Sequence, residues 1–460
     1  MADDDAGAAG GGGASRAARG AASADASAAG AAPVREAADV VIVGAGLTGA
    51  AAAWRLAQAG RDVLVLERDV PAGRLGSSHG SARILRYGYA DGFYTSLLRR
   101  AEGGWRELER ASGRRLVTRT GCVDFGPERR IAPVARAFAA EGLEHEVLAP
   151  QEAAARWPGI SFDSAALFQP DAGVLDAEGT VAALLDAARS LGARVLTGWE
   201  AASVRERAAG YEVLARDGRR AEAGRVVVAA GGWLPGLLRE LPLADGCLER
   251  LPPLRVMQES AFHFPYREPG ATPAGLPGPP AAPPGGAISG AAPSDAAASE
   301  ADAPDEAAVW PTFIHMGSGL PVYGLPGGRD AGHRGQKVAR FNAGRPLADA
   351  SEQDLAVTQG QRRDVVDFVR ERMPGLVPEP YAETTCLFTN TPNEDFVLDR
   401  WGGVVIASPC SGHGGKFAPL LGELIRDLAL PEEPARGLAA VPERFQPWHG
   451  SLLEHDGGVS

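Results

Sequence analysis

The amino-acid sequence predicts an α/β protein in which a Rossmann-like domain is interleaved with a second domain built on a mixed β-sheet. Its 460 residues exceed the size of one ordinary hydrophobic core, so two domains are expected. Short, continuous apolar runs at residues 40–43, 63–66 and 226–229 are typical of parallel strands covered on both faces. The first run leads through a glycine-rich turn and an alanine-rich helix into the second, which makes one βαβ unit.

The rest of the chain divides into further elements by helical spacing and short apolar runs. The helix of the βαβ unit ends near Gly60, and residues 361–372 form an amphipathic helix that Pro374-Gly375 stops. The other predicted elements are helices over residues 96–110, 179–191 and 420–430 and strands over residues 193–196, 254–264, 309–314, 338–341 and 404–407.

The composition narrows the class of protein. A formal net charge of −12 argues against a nucleic-acid binder and against a polybasic membrane anchor. The sequence has no run of the roughly 20 apolar residues that a bilayer-spanning helix needs. The four cysteines form no C-x-x-C pair and are too few for a disulfide framework, which fits a reducing compartment. We therefore expect a cytoplasmic protein that binds neither nucleic acid nor membrane.

Two segments differ in composition from the rest. Residues 1–37 are mostly Ala, Gly, Ser and Asp, and they lack the apolar core of a secretory signal, so a disordered tail is expected. Residues 269–306 are almost entirely Pro, Ala, Gly, Ser, Asp and Glu, which cannot bury enough apolar surface to offset the entropy lost on ordering. We expect a disordered insertion within one domain, because the flanking strands belong to the same kind of sheet.

A glycine triad with an acid at the end of the next strand predicts a dinucleotide site. Gly44, Gly46 and Gly49 connect an apolar strand to a helix, and Glu67 ends the following strand. The glycines allow a tight turn and bring a pyrophosphate close to the helix N-terminus, where unpaired N–H groups and the dipole favour anions. Glu67 can accept hydrogen bonds from a ribose and disfavours a 2′-phosphate. This motif does not separate FAD from NAD.

The basic residues are almost all arginine, and the two exceptions need a reason. Of 46 basic residues only Lys337 and Lys416 are lysine. A genome with strong GC bias would account for the arginines, whereas an ammonium is a compact charge whose pKa changes readily on burial. Together with the glycine triad and Cys386, the two lysines suggest a flavin site. Two surface lysines left by chance are the alternative.

Four further motifs separate FAD from NAD. They are GSSHGSARILRY at residues 76–87, PDAGVL at 170–175, TCLFTNTPNEDF at 385–396 and SGHGGKF at 411–417. Together they resemble the monomeric sarcosine oxidase family of the DAO superfamily, FAD amino-acid oxidases that include N-methyltryptophan oxidase and pipecolate oxidase. The resemblance runs from about residue 39 to residue 430 without the insertion. It implies a glutathione-reductase-type FAD-binding domain, a substrate domain on a mixed sheet, and a monomer.

On this basis the chain divides into parts of two interleaved domains. The expected parts are a disordered tail (1–37), three parts of the FAD-binding domain (38–120, 171–245 and 381–435), the substrate domain (121–170, then 246–268 with 307–380), the disordered insertion (269–306) and a C-terminal tail (436–460).

The resemblance identifies Cys386 with the cysteine whose sulfur is bonded to the flavin 8α-methyl carbon, so we expect covalently bound FAD. A buried structural thiol is the alternative for Cys386. Cys410 is the rival attachment site by spacing alone, but its position does not match the family's cysteine.

The resemblance also assigns roles to five basic side chains. Arg86 and Lys416 match the two cations that hold the substrate carboxylate, where a planar fork and a point charge can share two oxygens. Lys337 matches the lysine over the flavin face where O₂ is reduced, and its charge would stabilise superoxide. His79 and Arg83 match residues beside the flavin ring. A structural salt bridge for Arg86, and capping or packing for His79, remain alternatives.

The glycines around one histidine complete the expected site. His413, between Gly412 and Gly414, resembles a flavin contact shaped by the backbone. The sequence contains no His, Cys and Asp cluster with metal-ligand spacing, so we expect no metal.

Two positions depart from the sarcosine-specific members of the family. These members have histidine where this chain has Phe341, and tyrosine where it has Phe388. Both changes make the pocket more apolar, which favours a larger secondary amino acid or an N-methylated aromatic one over sarcosine.

The expected activity is oxidation of the C–N bond of a secondary or N-methyl α-amino acid to an imine, with O₂ reduced to hydrogen peroxide. The alternatives are an FAD-dependent amino-acid dehydrogenase or D-amino-acid-type oxidase without covalent flavin, and a non-catalytic flavin-binding subunit. A pyridine-nucleotide dehydrogenase is disfavoured, because nothing after Glu67 resembles a nicotinamide site.

Overall fold

The computed structural model describes residues 35–267, 310–317, 319–433 and 441–448. Residues 1–34 of the predicted tail and the whole predicted insertion, 269–306, lie outside these ranges. The first strand begins at Arg35, so residues 35–37, which the sequence places in the disordered tail, belong to a strand instead. Residues 35–38 are ordered because they pair with residues 220–223 of a parallel neighbour.

The strands and helices follow the chain in mixed order. The strands are β1 (Arg35–Val43), β2 (Val63–Leu66), β3 (Arg83–Leu85), β4 (Val117–Arg119), β5 (Cys122–Phe125), β6 (Glu146–Leu148), β7 (Ala166–Gln169), β8 (Gly173–Leu175), β9 (Arg194–Leu196), β10 (Ala201–Arg207), β11 (Gly210–Ala215), β12 (Arg220–Val228), β13 (Arg255–Phe264), β14 (Thr312–Gly317), β15 (Leu320–Pro326), β16 (Gln336–Arg340), β17 (Arg345–Leu347), β18 (Ala382–Asn390), β19 (Val397–Trp401) and β20 (Val404–Ser408). The helices are α1 (Leu47–Gln58), α2 (Phe93–Ser112), α3 (Ile131–Ala140), α4 (Pro150–Arg156), α5 (Ala177–Ser190), α6 (Leu234–Leu237), α7 (Cys247–Arg250), α8 (Gln359–Arg372) and α9 (Ala418–Ala429).

The first sheet has a parallel centre. Strand β1 pairs in parallel with β2 and β12, β2 continues to β9, and β12 continues to β20. Side chains of β1 point alternately into two hydrophobic cores. Val40 and Ile42 pack with α1, α5 and α9, whereas Val41 and Val43 pack with the opposite layer. This burial on both faces is why the strand is a continuous apolar run, as the sequence predicted.

The edge of this sheet was not predicted from the sequence. Strands β10 and β11 join β12 in an antiparallel meander. Only one face of β10 is apolar, and residues 205–207 are charged and exposed. A short strand with one exposed face contains few apolar residues, so its apolar–polar alternation is too weak to predict the strand from the sequence.

The second sheet has nine strands and faces the first. Its order is β17-β13-β16-β15-β14-β5-β7-β6, and β18 also pairs with β13. On β13, Phe262 and Phe264 pack against α8. Strand β18 therefore belongs to this sheet, although the sequence-based division places residues 381–435 in the FAD-binding domain. That division stays a proposal.

Residues 441–448, called here the C-terminal segment, dock on the body of the protein. Phe445 is buried among residues of α2 and α9, and Trp448 is buried in the opposite layer, where its indole N–H donates to the Cys247 carbonyl. Within the described ranges, no helix is long and apolar enough to cross a membrane.

Candidate active site

A cavity of about 1030 Å³ lies between the two large sheets. One end is formed by the turn after β1 and by the start of α1. The other end is lined by side chains of β14, β15, β16 and β18 on the second sheet. The cavity is elongated enough to join a nucleotide site to a substrate compartment.

The glycines at the α1 end leave space that side chains would fill. Gly44 has φ +102°, and a Cβ there would lie 2.5 Å from the Ala229 carbonyl oxygen. A Cβ on Gly46 would lie 2.9 Å from the hydroxyl of Ser78, which accepts a hydrogen bond from the Leu47 N–H at 3.0 Å. Gly49 does not line the cavity.

Gly49 instead permits the close packing of α1 on the turn that precedes it, because a Cβ on Gly49 would lie 1.9 Å from the Gly44 carbonyl oxygen.

Glu67 is held in place by the backbone on both sides. Its carboxylate accepts hydrogen bonds from the N–H groups of Ala45, at 2.7 Å, and Asp69, at 3.0 Å. Each carboxylate oxygen can accept a further bond, so Glu67 remains able to bind a ribose hydroxyl. An open helix N-terminus, a glycine cradle and an oriented acid fit the adenine dinucleotide that the sequence predicted.

Two cysteines line the middle of the cavity. Cys386 lies on β18 opposite Glu259 of β13, and Cys410 follows β20 and accepts a hydrogen bond at sulfur from the Thr389 N–H at 3.3 Å. Burial raises the pKa of both thiols, whereas the nearby Arg83 charge opposes that rise. Of the two, Cys386 lies beside both Arg83 and Lys337, the positive charges that favour a thiolate.

Positive charge concentrates around Cys386. Arg83 donates hydrogen bonds to the carbonyls of Ser77, at 3.1 Å, and His79, at 2.6 Å, and so fixes the loop before β3. Lys337 is 6% exposed, and burial followed by the Arg83 charge lowers its pKa to about 8. Both cations line the cavity.

His79 does not line the cavity and is a neutral neighbour of these cations. Burial, followed by the charges of Arg83 and Lys337, lowers its pKa to about 4. Its Nε2 atom is buried without a hydrogen-bond partner among the described residues.

Two residues near Lys337 were missed from the sequence. Asp330 accepts a hydrogen bond from the Ser81 hydroxyl at 2.5 Å, and His263 faces Lys337 across the β13–β16 pair. Burial opposes ionisation of Asp330, but the Ser81 hydrogen bond and the Lys337 charge outweigh it and lower its pKa. Neither residue belongs to a recognisable motif.

A second pair of cations, Arg86 and Lys416, also lines the cavity. Lys416 is 5% exposed, and its ammonium donates to the Tyr89 hydroxyl at 3.0 Å and to the His413 carbonyl at 2.7 Å. Burial, followed by the Arg86 charge, places its pKa well below the usual value. An ammonium has three N–H donors, so one remains for a ligand such as a carboxylate.

Arg86 is held beside Lys416 by the backbone and by aromatic contact. Its guanidinium donates to the Gly88 carbonyl at 2.6 Å and lies 5.0 Å from the centre of the Tyr89 ring. Arg129 donates to the same carbonyl at 2.8 Å and pairs with the buried Asp124 at 3.0 Å. Tyr89 and Arg129 also line the cavity and were missed from the sequence.

An apolar wall forms one side of the cavity. The rings of Phe341 and Phe388 are 6.0 Å apart, and a Cβ on Gly412 would lie 2.6 Å from Phe388 and 2.9 Å from Phe341. Tyr323 and Met316 of the second sheet extend this wall. Apart from the Tyr323 hydroxyl, this side presents bulky apolar surface rather than hydrogen-bonding groups.

The structure brings most of the predicted residues together. Those that line the cavity are Gly44, Gly46, Glu67, Arg83, Arg86, Lys337, Cys386, Gly412, His413, Gly414 and Lys416. Their individual roles stay predictions. No group of three or more His, Cys, Asp or Glu side chains in the described ranges is arranged to hold a metal.

Comparison with known proteins agrees with this arrangement. A family model described as FAD dependent oxidoreductase (DAO) matches residues 39–428. The monomeric sarcosine oxidase of Streptomyces avermitilis is 31% identical over 88% of this chain and 98% of its own length. The human peroxisomal sarcosine oxidase is 29% identical over 87% of this chain and 94% of its own.

A solved structure shares the fold. The open form of NikD, an unusual amino acid oxidase essential for nikkomycin biosynthesis, superposes with a TM-score of 0.71 at 24% identity. The alignment covers 90% of this chain and 98% of NikD.

Proposed function

Because this chain belongs to the FAD dependent oxidoreductase (DAO) family, we propose that it is an oxidase of a secondary or N-methyl α-amino acid. The observation that carries the proposal is one cavity that joins a dinucleotide turn, a cysteine beside two cations, and the pair Arg86 and Lys416. Bound FAD supplies a two-electron acceptor for oxidation of the C–N bond, and O₂ takes up the electrons to give hydrogen peroxide. The imine product is hydrolysed by water.

The carboxylate-binding pair orients the substrate. Arg86 offers a planar fork and Lys416 one unused N–H, so the two can share the oxygens of a single carboxylate. Fixing the carboxylate at this end sets the position of the α-carbon and of the amine along the cavity. Such positioning is one of the main contributions a protein makes to this kind of reaction.

The cation cluster near Cys386 serves the reaction with O₂. A fixed positive charge stabilises the superoxide that the first electron transfer creates, because the charge is already oriented in a site sheltered from water. Lys337 is the proposed source of this charge, with Arg83 beside it. His79 stays neutral and supports the environment of the flavin ring.

We propose that Cys386 holds FAD covalently. Both cysteines line the cavity, but Cys386 lies beside Arg83 and Lys337 whereas Cys410 lies beside Arg83 alone, and this supports the assignment to Cys386. The test is acid precipitation of the purified protein, followed by an absorbance spectrum of the washed, redissolved pellet. Flavin absorbance should remain in the pellet of the wild type and of Cys410→Ala, and should leave the pellet in Cys386→Ala.

Flavin that leaves the wild-type pellet would contradict the covalent link. Rates with O₂ and with a quinone acceptor would then decide between the oxidase and an amino-acid dehydrogenase or D-amino-acid-type oxidase. If no amine bleaches the bound flavin in the absence of O₂, every catalytic assignment is contradicted, and a non-catalytic flavin-binding subunit is favoured.

The apolar wall favours a bulky substrate. The rings of Phe341 and Phe388 offer no hydrogen bond to a small, hydrated amine, so we propose that larger N-methyl or cyclic secondary amino acids are preferred over sarcosine. Comparison of kcat/KM for sarcosine, pipecolate and N-methyl-L-tryptophan tests this. A cytoplasmic monomer remains our proposal for the working form of the enzyme.

A further inference from the structure

Lys416, the proposed binding residue for the substrate carboxylate, is connected to the distant C-terminal segment by a series of hydrogen bonds and one ion pair. This inference rests on the proposed binding of a carboxylate by Arg86 and Lys416. This series of contacts leads from Lys416 through Tyr89 and His413 to the loop between β18 and β19, and from that loop to Arg444.

The directions of these hydrogen bonds are determined by one another. Lys416 can only donate, so the Tyr89 hydroxyl accepts from it and donates its own proton to His413 Nδ1, at 3.0 Å. The other ring nitrogen, Nε2, then carries the proton and donates to the Glu394 carbonyl at 3.0 Å. Burial, followed by the Lys416 charge, lowers the His413 pKa to about 3, which agrees with this neutral tautomer.

The carbonyl that receives this bond belongs to a residue in an uncommon conformation. Glu394 has φ +61°, in the left-handed region that non-glycine residues rarely adopt. Such a conformation persists only where the surroundings impose it. The Glu394 N–H donates to the Thr391 carbonyl at 3.2 Å, and its carboxylate accepts from the Asn342 amide at 2.7 Å. The orientation of the carbonyl, and with it the position of His413, depends on these contacts and on what holds the next residue, Asp395.

Asp395 is held by Arg444 and by its own loop, where the Thr391 hydroxyl donates to its backbone carbonyl at 2.7 Å and its N–H donates to the Asn393 side-chain oxygen at 3.2 Å. The guanidinium binds the buried carboxylate with two bonds, Nη2 to Oδ1 at 2.7 Å and Nε to Oδ2 at 2.9 Å. The Tyr94 hydroxyl donates to Oδ1 at 2.9 Å, and the Asn393 amide donates to Oδ2 at 2.8 Å. A bidentate fork fixes a carboxylate in orientation as well as position.

The guanidinium of Arg444 is in turn fixed by the ring of Phe93, whose centre is 4.4 Å away. The next residue, Phe445, is buried against the rings of Phe93 and Phe396, with centres 5.6 and 5.1 Å away. The C-terminal segment thus clamps the start of α2 and the β18–β19 loop together.

We propose that Arg444 is a positioning residue for substrate carboxylate binding, acting through Asp395, the Glu394 carbonyl, His413 and Tyr89 on Lys416. Loss of the Arg444 fork frees the Glu394 carbonyl, and His413 and Tyr89 no longer hold the ammonium toward the cavity. Affinity for the carboxylate falls, while the reaction of bound substrate is little changed.

The test compares Arg444→Gln with the wild-type holoenzyme. Acetate is the simplest probe of the anchor, and its Kd is measured by titration calorimetry; KM and kcat are measured with the best amine substrate. We expect a rise of about tenfold in acetate Kd and in KM, with kcat within about threefold of the wild type. Arg444→Lys, which restores a charge but not the fork, should lie between the two.

Arg207→Gln is the matched control. Arg207 is also a half-exposed arginine paired with a buried carboxylate, Glu212, on β10 and β11, and neither residue of this pair lines the cavity. This control should leave acetate Kd and KM unchanged.

The route is tested by a double-mutant cycle with Asp395→Asn. If Arg444 acts through Asp395, adding Arg444→Gln to Asp395→Asn should raise the acetate Kd little further.

Unchanged acetate Kd and KM in a folded Arg444→Gln variant would overturn the proposal, as would a drop in thermal stability without a change in either constant. Additive effects in the cycle would overturn the proposed route. A wild-type enzyme that binds no acetate, and whose amine oxidation does not require a carboxylate on the substrate, would instead refute the assumed role of Arg86 and Lys416.

Discussion

At the scale of single residues, burial decides which charges the site contains. Lys337 and Lys416 are both nearly inaccessible, and burial is the first cause that lowers the pKa of each. Arginine in either place would remain charged at any working pH. The only two lysines of the chain therefore stand where a cation can lose its proton.

The first prediction concerns Lys337 and O₂. Lys337→Met should slow reoxidation of the reduced enzyme by about a hundredfold or more, because one oriented charge is worth that much in such a site, and should change flavin reduction little. Stopped-flow measurement of the two half-reactions checks this. A loss confined to flavin reduction would assign Lys337 to the amine side instead.

A pH dependence follows from the same group. The pKa of Lys337 is lowered to about 8, so the charge is present below that pH and is lost above it. The rate of reoxidation should therefore fall as the pH rises through about 8. In Lys337→Arg, which keeps its charge, this fall should be absent; a fall in both proteins would point to another group.

The next prediction concerns Phe341. Phe341→His places a polar ring in the apolar wall, 6.0 Å from the ring of Phe388 in the parent enzyme. We expect kcat/KM for an N-methylated aromatic amino acid to fall about tenfold relative to that for sarcosine, since a change in one pocket contact typically alters discrimination by that order. Steady-state assays with both substrates give the ratio, and an unchanged ratio would exclude Phe341 from the substrate compartment.

At the scale of elements, the contact of α1 with the turn before it sets the nucleotide end. Gly49→Ala should weaken FAD binding severely, because the new Cβ would lie 1.9 Å from the Gly44 carbonyl oxygen and would push α1 away from the turn. The FAD content of the purified protein and its melting temperature measure the effect.

Gly103→Ala is the matched control for that experiment. Gly103 lies inside α2, and a Cβ there would meet no atom within 4 Å. Alanine exceeds glycine in helix propensity by about 1 kcal/mol, so this variant should be as stable as the parent or slightly more stable. Equal loss of FAD in both variants would mean that close packing at Gly49 is not the cause.

At the scale of the whole molecule, buried imidazoles predict the response to acid. Burial lowers the pKa of His79 and His263 to about 4 and of His413 to about 3, from 6.5. Below pH 6.5 the unfolded chain binds these protons and the native one does not, so the free energy of unfolding falls as the pH falls toward 4. Glu259, whose pKa burial raises to about 6, acts in the opposite sense between pH 6 and 4.5.

Burial also raises the pKa of Asp176, Glu394 and Glu423, whereas the pKa of Asp330 is lowered, so the carboxyl shifts partly cancel one another. The three imidazoles all shift in one direction and should dominate. The melting temperature of the holoenzyme should therefore drop steadily between pH 6.5 and pH 4. Thermal unfolding across this range measures it, and the slope should be reduced in His263→Gln, whose side chain lies on the second sheet beside Lys337. A melting temperature independent of pH would show that these imidazoles are accessible to protons in the native state.

Local patterns in the sequence were sufficient for the fold class, the βαβ unit and most of the long elements. Helix α2, predicted over residues 96–110, spans Phe93–Ser112, and α8, predicted over residues 361–372, spans Gln359–Arg372. Such elements are predictable because the period of their apolar residues is set by the element itself. The family resemblance was likewise recognised from short motifs, each of which is a local pattern in the sequence.

Only the tertiary structure decided which distant residues meet. Tyr89 contacts Lys416 across 327 positions of sequence, and Arg444 reaches Asp395 across 49. Tyr89, Arg129, Asp330 and the docked C-terminal segment gave no recognisable pattern. The physical reason is that periodicity tells which face of an element is buried, whereas the partner of a polar side chain depends on how separate elements pack, and that is a property of the whole chain.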